Sequence, residues 1–356
     1  MIKKTLIPEN DRKPLFEDSS KLAFGKLFTD YMFVCAYDPE KGWHDPEIKP
    51  YQPLQMDPAA MVFHYAQEVF EGQKAYLSPE NEILMFRPKD NAKRMNHSLT
   101  RMCMPPFPEE LYIEAENELL KLEKRWIPKE KGTSLYIRPT VIATEAAIGV
   151  RESTEYLFYI ICSPCGPYFA GGFKPISVMV SDRYVRAAQG GTGDAKAGGN
   201  YACGMLGTHI AKEKGYSQVI WLDACERKYI EELGAMNIFF VMNGTLITPS
   251  LTGTILDGIT RRSIVELAKS LKITVEERRI SIDEITSGIA NGTVTEAFAA
   301  GTAAIIAPVG TIAYKDKLFT IGPEAGKVTS AIYDQLLGIQ YGEIEDRFGW
   351  MHTVQD

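Results

Sequence analysis

Apolar positions along the chain recur in two periods, and the switches between them predict short strands interleaved with a few helices. Runs at Phe28–Tyr37, at FEGQKAY from Phe70 to Tyr76 and at Ile83–Phe86 predict strands, the last two joined across a turn at Asn81. Leu119, Leu122 and Trp126 fall at helical spacing in a segment rich in Glu and Lys, which predicts a surface helix with one apolar stripe. SLYIRPTVI and EYLFYIIC read as two further strands. After them Gly166, Pro167, Gly171, Gly172 and Pro175 crowd into GPYFAGGFKP, the best linker signal in the chain. Beyond it ISVMV, QVIWL and NIFFVM are short strands, and Asn243-Gly244 predicts a hairpin into TLIT. Ile264, Leu267, Ala268 and Leu271, at i, i+3, i+4 and i+7, mark a helix with one buried face. No fixed period repeats, and the first half does not iterate a βαβ unit, so it reads as an α/β domain of α+β character.

Length turns this pattern into a domain estimate. The 356 residues suggest two domains at roughly 100–200 residues each. The linker signal then places them at 1–165 and 177–356, joined by 166–176. With 45% apolar and 24% charged residues the chain reads as an ordinary folded body. Its net charge is −7 and its basic residues are dispersed, which disfavours a nucleic-acid or acidic-membrane partner. Leu6 and Ile7 are cut off by Pro8 before any secretory apolar region can form, and no run of 18 apolar residues occurs. A cytoplasmic protein is expected. Among six cysteines only Cys162 and Cys165 form a CxxC pair, so reduced thiols are expected in preference to a zinc site, and no metal is anticipated.

The candidate chemistry lies in a few unusual stretches. GGTGDAKAGGNYACG, from Gly190 to Gly204, sets Lys196 amid glycines and small residues. It is not a phosphate loop of the Walker type, because Ala195 and Ala197 flank the lysine. Nor is it GxGxxG, because Lys196 stands where the third glycine belongs. What remains is a lysine with room for a flat cofactor, or a loop lysine facing solvent; desolvation would lower the amine's pKa and make it a nucleophile. IEELGAMN places Glu231 and Glu232 before an apolar strand, where one could face inward toward a cation or both could belong to a solvated turn. LDGITRRS would aim the amides of Ile259 and Thr260 out of a helix N-terminus, a ready anion site. GTAAIIAPVG, from Gly301 to Gly310, could bring backbone amides near a ligand or simply be a buried strand. Arg138 sits within an apolar strand and so needs an anion or a wet cleft. The five histidines are scattered and no G-x-S-x-G elbow occurs, which lowers zinc and hydrolytic mechanisms.

Taken together, HYAQEVFEGQKAY, LMFRPKDNAKRM, SLYIRPTVIATEAAIGV, GPYFAGG, AKAGGNY, EELGAMN, LDGITRRS and GTAAIIAPVG resemble the branched-chain amino-acid aminotransferases. These are fold-type IV enzymes that use pyridoxal 5′-phosphate (PLP), and the resemblance covers nearly the whole chain. It implies two α/β domains joined by an interdomain loop, with the cofactor between them, in a homodimer. By this resemblance Lys196 would bond to PLP and then shuttle the substrate proton, and Glu232 would keep the pyridine nitrogen protonated. Tyr201 would meet the 3′ oxygen, and Arg94, the Ile259 and Thr260 amides and Thr302 would hold the phosphate. Phe28, Tyr65, Phe70, Tyr136 and Val150 of the partner subunit would line the aliphatic pocket. Gly72 and the turn Thr302, Ala303 and Ala304 would lie beside the substrate, and Arg138 would take the second carboxylate of glutamate. The implied reaction is amino transfer between L-leucine, L-isoleucine or L-valine and 2-oxoglutarate by a ping-pong route. Rivals within the fold are a D-amino-acid aminotransferase and an aminodeoxychorismate lyase; outside enzymology, a PLP carrier or an amino-acid sensor. Two features depart from relatives: Ala304 and Ala307 stand where mammalian members carry a redox-sensitive CxxC, and Ala235 closes a turn that ends in a hydroxyl residue in some members.

Overall fold

The computed structural model describes residues 1–166 and 172–355. Contacts divide the chain into two units, Met1–Tyr168 with Ala195–Gly198 and Gly338–Asp356, and Phe169–Asp194 with Gly199–Leu337.

The first unit is built on a nine-stranded sheet in the order Lys3–Lys4, Gly42–Pro50, Tyr31–Asp38, Tyr156–Cys165, Ser134–Ala143, Gln73–Leu77, Ile83–Phe86, Met351–Thr353. Glu68–Phe70 pairs separately beside Ser134–Ala143. Ser134–Ala143 runs antiparallel to Tyr156–Cys165 without a register shift, so Tyr136, Arg138, Thr140 and Ile142 all present to one face. Helices Pro88–Arg101 and Glu109–Glu123 pack on the sheet, and Phe33, Phe107, Tyr112, Trp126 and Phe158 are buried in the resulting core.

Several elements differ from the sequence expectation. The first long strand begins at Tyr31, not Phe28, because Asp30 anchors its entry: the carboxylate accepts hydrogen bonds from Lys13 N, Arg125 and Trp126 Nε1. FEGQKAY is not one strand, since Glu71 and Gly72 step out of the ladder between Glu68–Phe70 and Gln73–Leu77. Trp126 lies past its helix in the 3-10 turn Lys124–Trp126 and is fully buried. The domain expectation also needs correction, because residues 338–356 cluster with the first unit: Met351–Thr353 is hydrogen-bonded to Ile83–Phe86 as an edge strand. Residues 195–198 cluster there too, and 167–171 of the expected linker lie outside the described residues.

The second unit also holds nine strands. Ile230–Leu233, Gln218–Leu222, Ile176–Val180, Ile305–Tyr314, Val294–Gly301 and Met236–Met242 follow one another, and the last pairs back to the first. The ring closes on itself and so leaves few open edges. Asn243 and Gly244 both take positive φ, 50° and 78°, as the expected two-residue hairpin requires. Helix Ile259–Ser270 buries Ile264, Leu267 and Ala268, the face that its spacing predicted. Among the described residues no helix is long and apolar enough to cross a membrane.

Candidate active site

In the first unit, three of the residues singled out from sequence meet around one ring. The Lys196 ammonium lies 4.7 Å from the Phe70 ring centre and the Arg138 guanidinium lies 4.6 Å from it. Local structure explains both positions. The Phe70 amide donates to the Lys196 carbonyl (3.0 Å), Val69 bridges Ala197, and the Lys196 amide donates to the buried Ser98 hydroxyl (2.9 Å). Lys196 itself is half-buried between the buried Ala195 and Ala197. Arg138 donates through Nη2 to the Tyr136 hydroxyl (3.0 Å), whereas its buried Nε meets no acceptor among the described residues. A buried guanidinium N–H without an acceptor is costly, so this atom is suited to an incoming anion.

Gly72 is required by close approach, since a Cβ there would strike the Tyr136 hydroxyl. Arg94 is buried and forks onto Glu71, with Nε–Oε1 and Nη2–Oε2 both 2.8 Å. Tyr65 donates its hydroxyl to the Ile148 carbonyl. Of the remaining two predicted pocket residues, Phe28 stacks on Tyr51 at 5.1 Å and Val150 is 88% exposed. Phe24 meets Tyr136 edge-on at 4.8 Å, a contact that no spacing in the sequence signalled. Glu68 was missed as well. It is half-buried, and burial raises its pKa against the opposing pull of Arg138.

The second unit carries the acidic pair, and both members are buried, so neither belongs to a solvated turn. Glu232 forms an ion pair with the buried Arg186 (Nε to Oε2, 3.2 Å) and accepts from the Leu256 amide (2.8 Å). Arg186 also donates to the carbonyls of Gly193 (3.1 Å) and Thr254. Glu231 accepts from the Thr254 hydroxyl at 2.5 Å, and burial pushes its pKa up, with Thr254 and the Arg186 charge opposing. Asn237 ties the segment to the next helix by donating to the Leu256 carbonyl, and a Cβ on Gly258 would strike its amide oxygen. Gly258 therefore caps helix Ile259–Ser270 without a side-chain hydrogen bond, which leaves the first amides of a twelve-residue helix for an anion. Tyr201 lies half-buried on the short helix Gly198–Cys203. Thr302, Ala303 and Ala304 form a tight turn after Val294–Gly301, closed by Ile305 at φ 62°, a conformation that β-branched residues rarely adopt.

These donors fit PLP in kind. A half-buried lysine amine beside an aromatic ring, a buried carboxylate held by an arginine, and an uncapped helix N-terminus match an aldehyde carbon, a protonated ring nitrogen and a phosphate respectively.

Comparison with known proteins agrees. The family described as Amino-transferase class IV matches residues 68–312. Branched-chain-amino-acid aminotransferase 2 of Bacillus subtilis (strain 168) is 49% identical over 357 residues, covering 99% of this chain and 98% of the relative. The crystal structure of the Escherichia coli branched-chain amino acid aminotransferase superposes with a TM-score of 0.78 at 29% identity, over 92% of this chain and 99% of that one. The branched-chain aminotransferase of the thermophilic archaeon Thermoproteus uzoniensis, solved with norvaline, gives 0.76 at 26% identity over 91% of this chain and 100% of that one. With a family match across most of its length and a relative about half identical from end to end, this chain belongs to the branched-chain amino-acid aminotransferases, fold-type IV members of aminotransferase class IV.

Proposed function

We propose that this protein transfers the amino group of L-leucine, L-isoleucine or L-valine to 2-oxoglutarate, with PLP as cofactor, in two half-reactions of a ping-pong route. The observation that carries this reading is the Phe70 ring flanked by Lys196 and Arg138, which sets a nucleophile and an anion receptor within one small site. When bound, the cofactor supplies the electron sink that lets the substrate Cα–H bond break. Lys196 would hold it covalently, and its amine would move the proton between the substrate Cα and the cofactor C4′. Glu232, paired with Arg186, would hold a proton on the ring nitrogen, and Tyr201 would donate to the 3′ oxygen. Arg94, the amides of Ile259 and Thr260, and Thr302 hold the phosphate.

Phe28, Tyr65, Phe70 and Tyr136 take the branched side chain, with Val150 of the partner subunit completing the pocket in a homodimer. The exposure of Val150 in a single chain supports that role. Gly72 and the amides of the turn Thr302, Ala303 and Ala304 lie against the α-carboxylate, and Arg138 receives the second carboxylate of glutamate. One methylene more or less changes binding by only ~1–3 kcal/mol, so all three branched amino acids are substrates. Small polar metabolites as substrates suit a cytoplasmic enzyme.

Purified holoprotein given L-leucine and 2-oxoglutarate should form glutamate and 4-methyl-2-oxopentanoate, and Lys196→Ala should lower turnover by at least ~10³-fold. Turnover with D-leucine alone, or full activity in Lys196→Ala, would overturn the proposal.

A further inference from the structure

Glu68 shares a sheet face with the arginine assigned to the second substrate carboxylate. The strand Glu68–Phe70 pairs with Ser134–Ala143 in the register Phe70↔Thr140 and Glu68↔Ile142. Residues directly opposite in an antiparallel pair point to the same side, so Glu68 and Phe70 face the way Tyr136, Arg138 and Thr140 do. Gly198, two residues beyond Lys196, comes so close that a Cβ there would strike the Glu68 carboxylate. That carboxylate is half-buried and makes no hydrogen bond or ion pair with another described residue. Arg138 is only partly satisfied too, with Nη2 on the Tyr136 hydroxyl and its buried Nε without an acceptor among the described residues. Two opposite charges thus stand on one face without joining.

We propose that Glu68 is a specificity-determining residue: its carboxylate offsets the charge of Arg138 and repels a second substrate carboxylate, setting how strongly the site takes dicarboxylates relative to branched aliphatic substrates. The proposal rests on Arg138 as the receptor of that carboxylate. A leucine side chain carries no charge and is indifferent to the balance, whereas glutamate and 2-oxoglutarate feel both groups. At an effective dielectric of about 20, charges several ångströms apart still change an affinity several-fold. An unpaired acid at this place keeps the shared site from being filled by dicarboxylate at the expense of the aliphatic substrate.

The test uses the holoenzyme and reads binding as well as turnover. Glu68→Gln keeps the shape and removes the charge; Glu68→Ser removes the carboxylate altogether and should act in the same direction. In both, the KM for 2-oxoglutarate and the inhibition constant of glutarate, an unreactive dicarboxylate, should fall about three- to tenfold. The KM for L-leucine and the inhibition constant of 4-methylpentanoate should stay within about twofold, and the effect on glutarate should vanish in an Arg138→Met background. An equal change for both ligand classes, or none, overturns the role of Glu68. If Arg138→Met weakens 2-oxoglutarate binding while the Glu68 variants change nothing, the Arg138 assignment stands and only this proposal falls. If Arg138→Met leaves 2-oxoglutarate binding intact, the assignment of Arg138 falls first and this proposal with it.

Discussion

The two units place charge in opposite ways. At the acidic corner of the second unit the main charges close on one another: Glu232 has Arg186 and the Leu256 amide, and Arg186 has two carbonyls besides, whereas Glu231 is closed on one side only, its Oε1 on Thr254 and its buried Oε2 without a hydrogen-bond partner among the described residues. On the Phe70 face of the first unit Arg138 keeps a buried donor without an acceptor among the described residues, and Glu68 stands near it unjoined. A closed charge is fixed in direction and protonation before any ligand arrives, which suits a group that must steady a cofactor. An open charge saves its interaction for the substrate, which suits a receptor. On the proposed function, the Glu232–Arg186 pair would serve the constant part of the reaction and Arg138 the part that changes between half-reactions.

The sharpest way to break the contrast is to remove one cation from each region. Arg186→Met takes the cation away from the buried Glu232, so it should cost about 3–5 kcal/mol in the stability of the apo protein. Arg138→Met should cost only about 1 kcal/mol of stability, since it loses one hydroxyl partner and Met can still pack on the Phe70 ring, while raising the KM for 2-oxoglutarate at least ~10-fold. Chemical denaturation of both variants checks the pair, and equal losses of stability would erase the distinction.

A smaller effect comes from Glu123, a buried carboxylate of the first unit that is closed on one side only. Its Oε1 accepts from the Tyr31 amide (2.6 Å), its Oε2 has no partner among the described residues, and burial pushes its pKa up from 4.5 to about 7. The folded state therefore holds this proton more tightly than the unfolded chain does. The stabilisation is full below pH 4.5 and is lost as pH rises through about 7, on the order of 3 kcal/mol in all. Glu123→Gln should flatten that part of the stability profile between about pH 5 and pH 8, as denaturant midpoints across the range would report. An unchanged slope would mean that half-closed carboxylates titrate normally here.

Much of both regions was legible in the sequence, and what was not has a common cause. Lys196, Glu232, Ile259 and Thr260 stand in short stretches that drew notice by their residues, with their roles supplied only by the family resemblance, and Arg138 stood out as an arginine in an apolar strand. Arg186 and Glu68 did not, because their importance depends on strand register and on a chain segment arriving from far away: Thr254 for the first, Gly198 for the second. The same long-range pairing moved residues 338–356 to the first unit, where Met351–Thr353 completes a sheet that begins at Lys3–Lys4. Phe24 and Phe28 are alike in composition and spacing, and only packing separates the ring on Tyr136 from the ring on Tyr51. Hairpin Asn243-Gly244 and helix Ile259–Ser270 were readable because their signals are contained within a few residues.

In the proposed function everything depends on the lysine beside Phe70 being the group that holds the cofactor. Reducing the PLP-loaded protein with borohydride and mapping the phosphopyridoxyl label by mass spectrometry tests it directly. A single label is expected, on the peptide containing Lys196; a label on any other lysine, with Lys196 unmodified, would rule out that role.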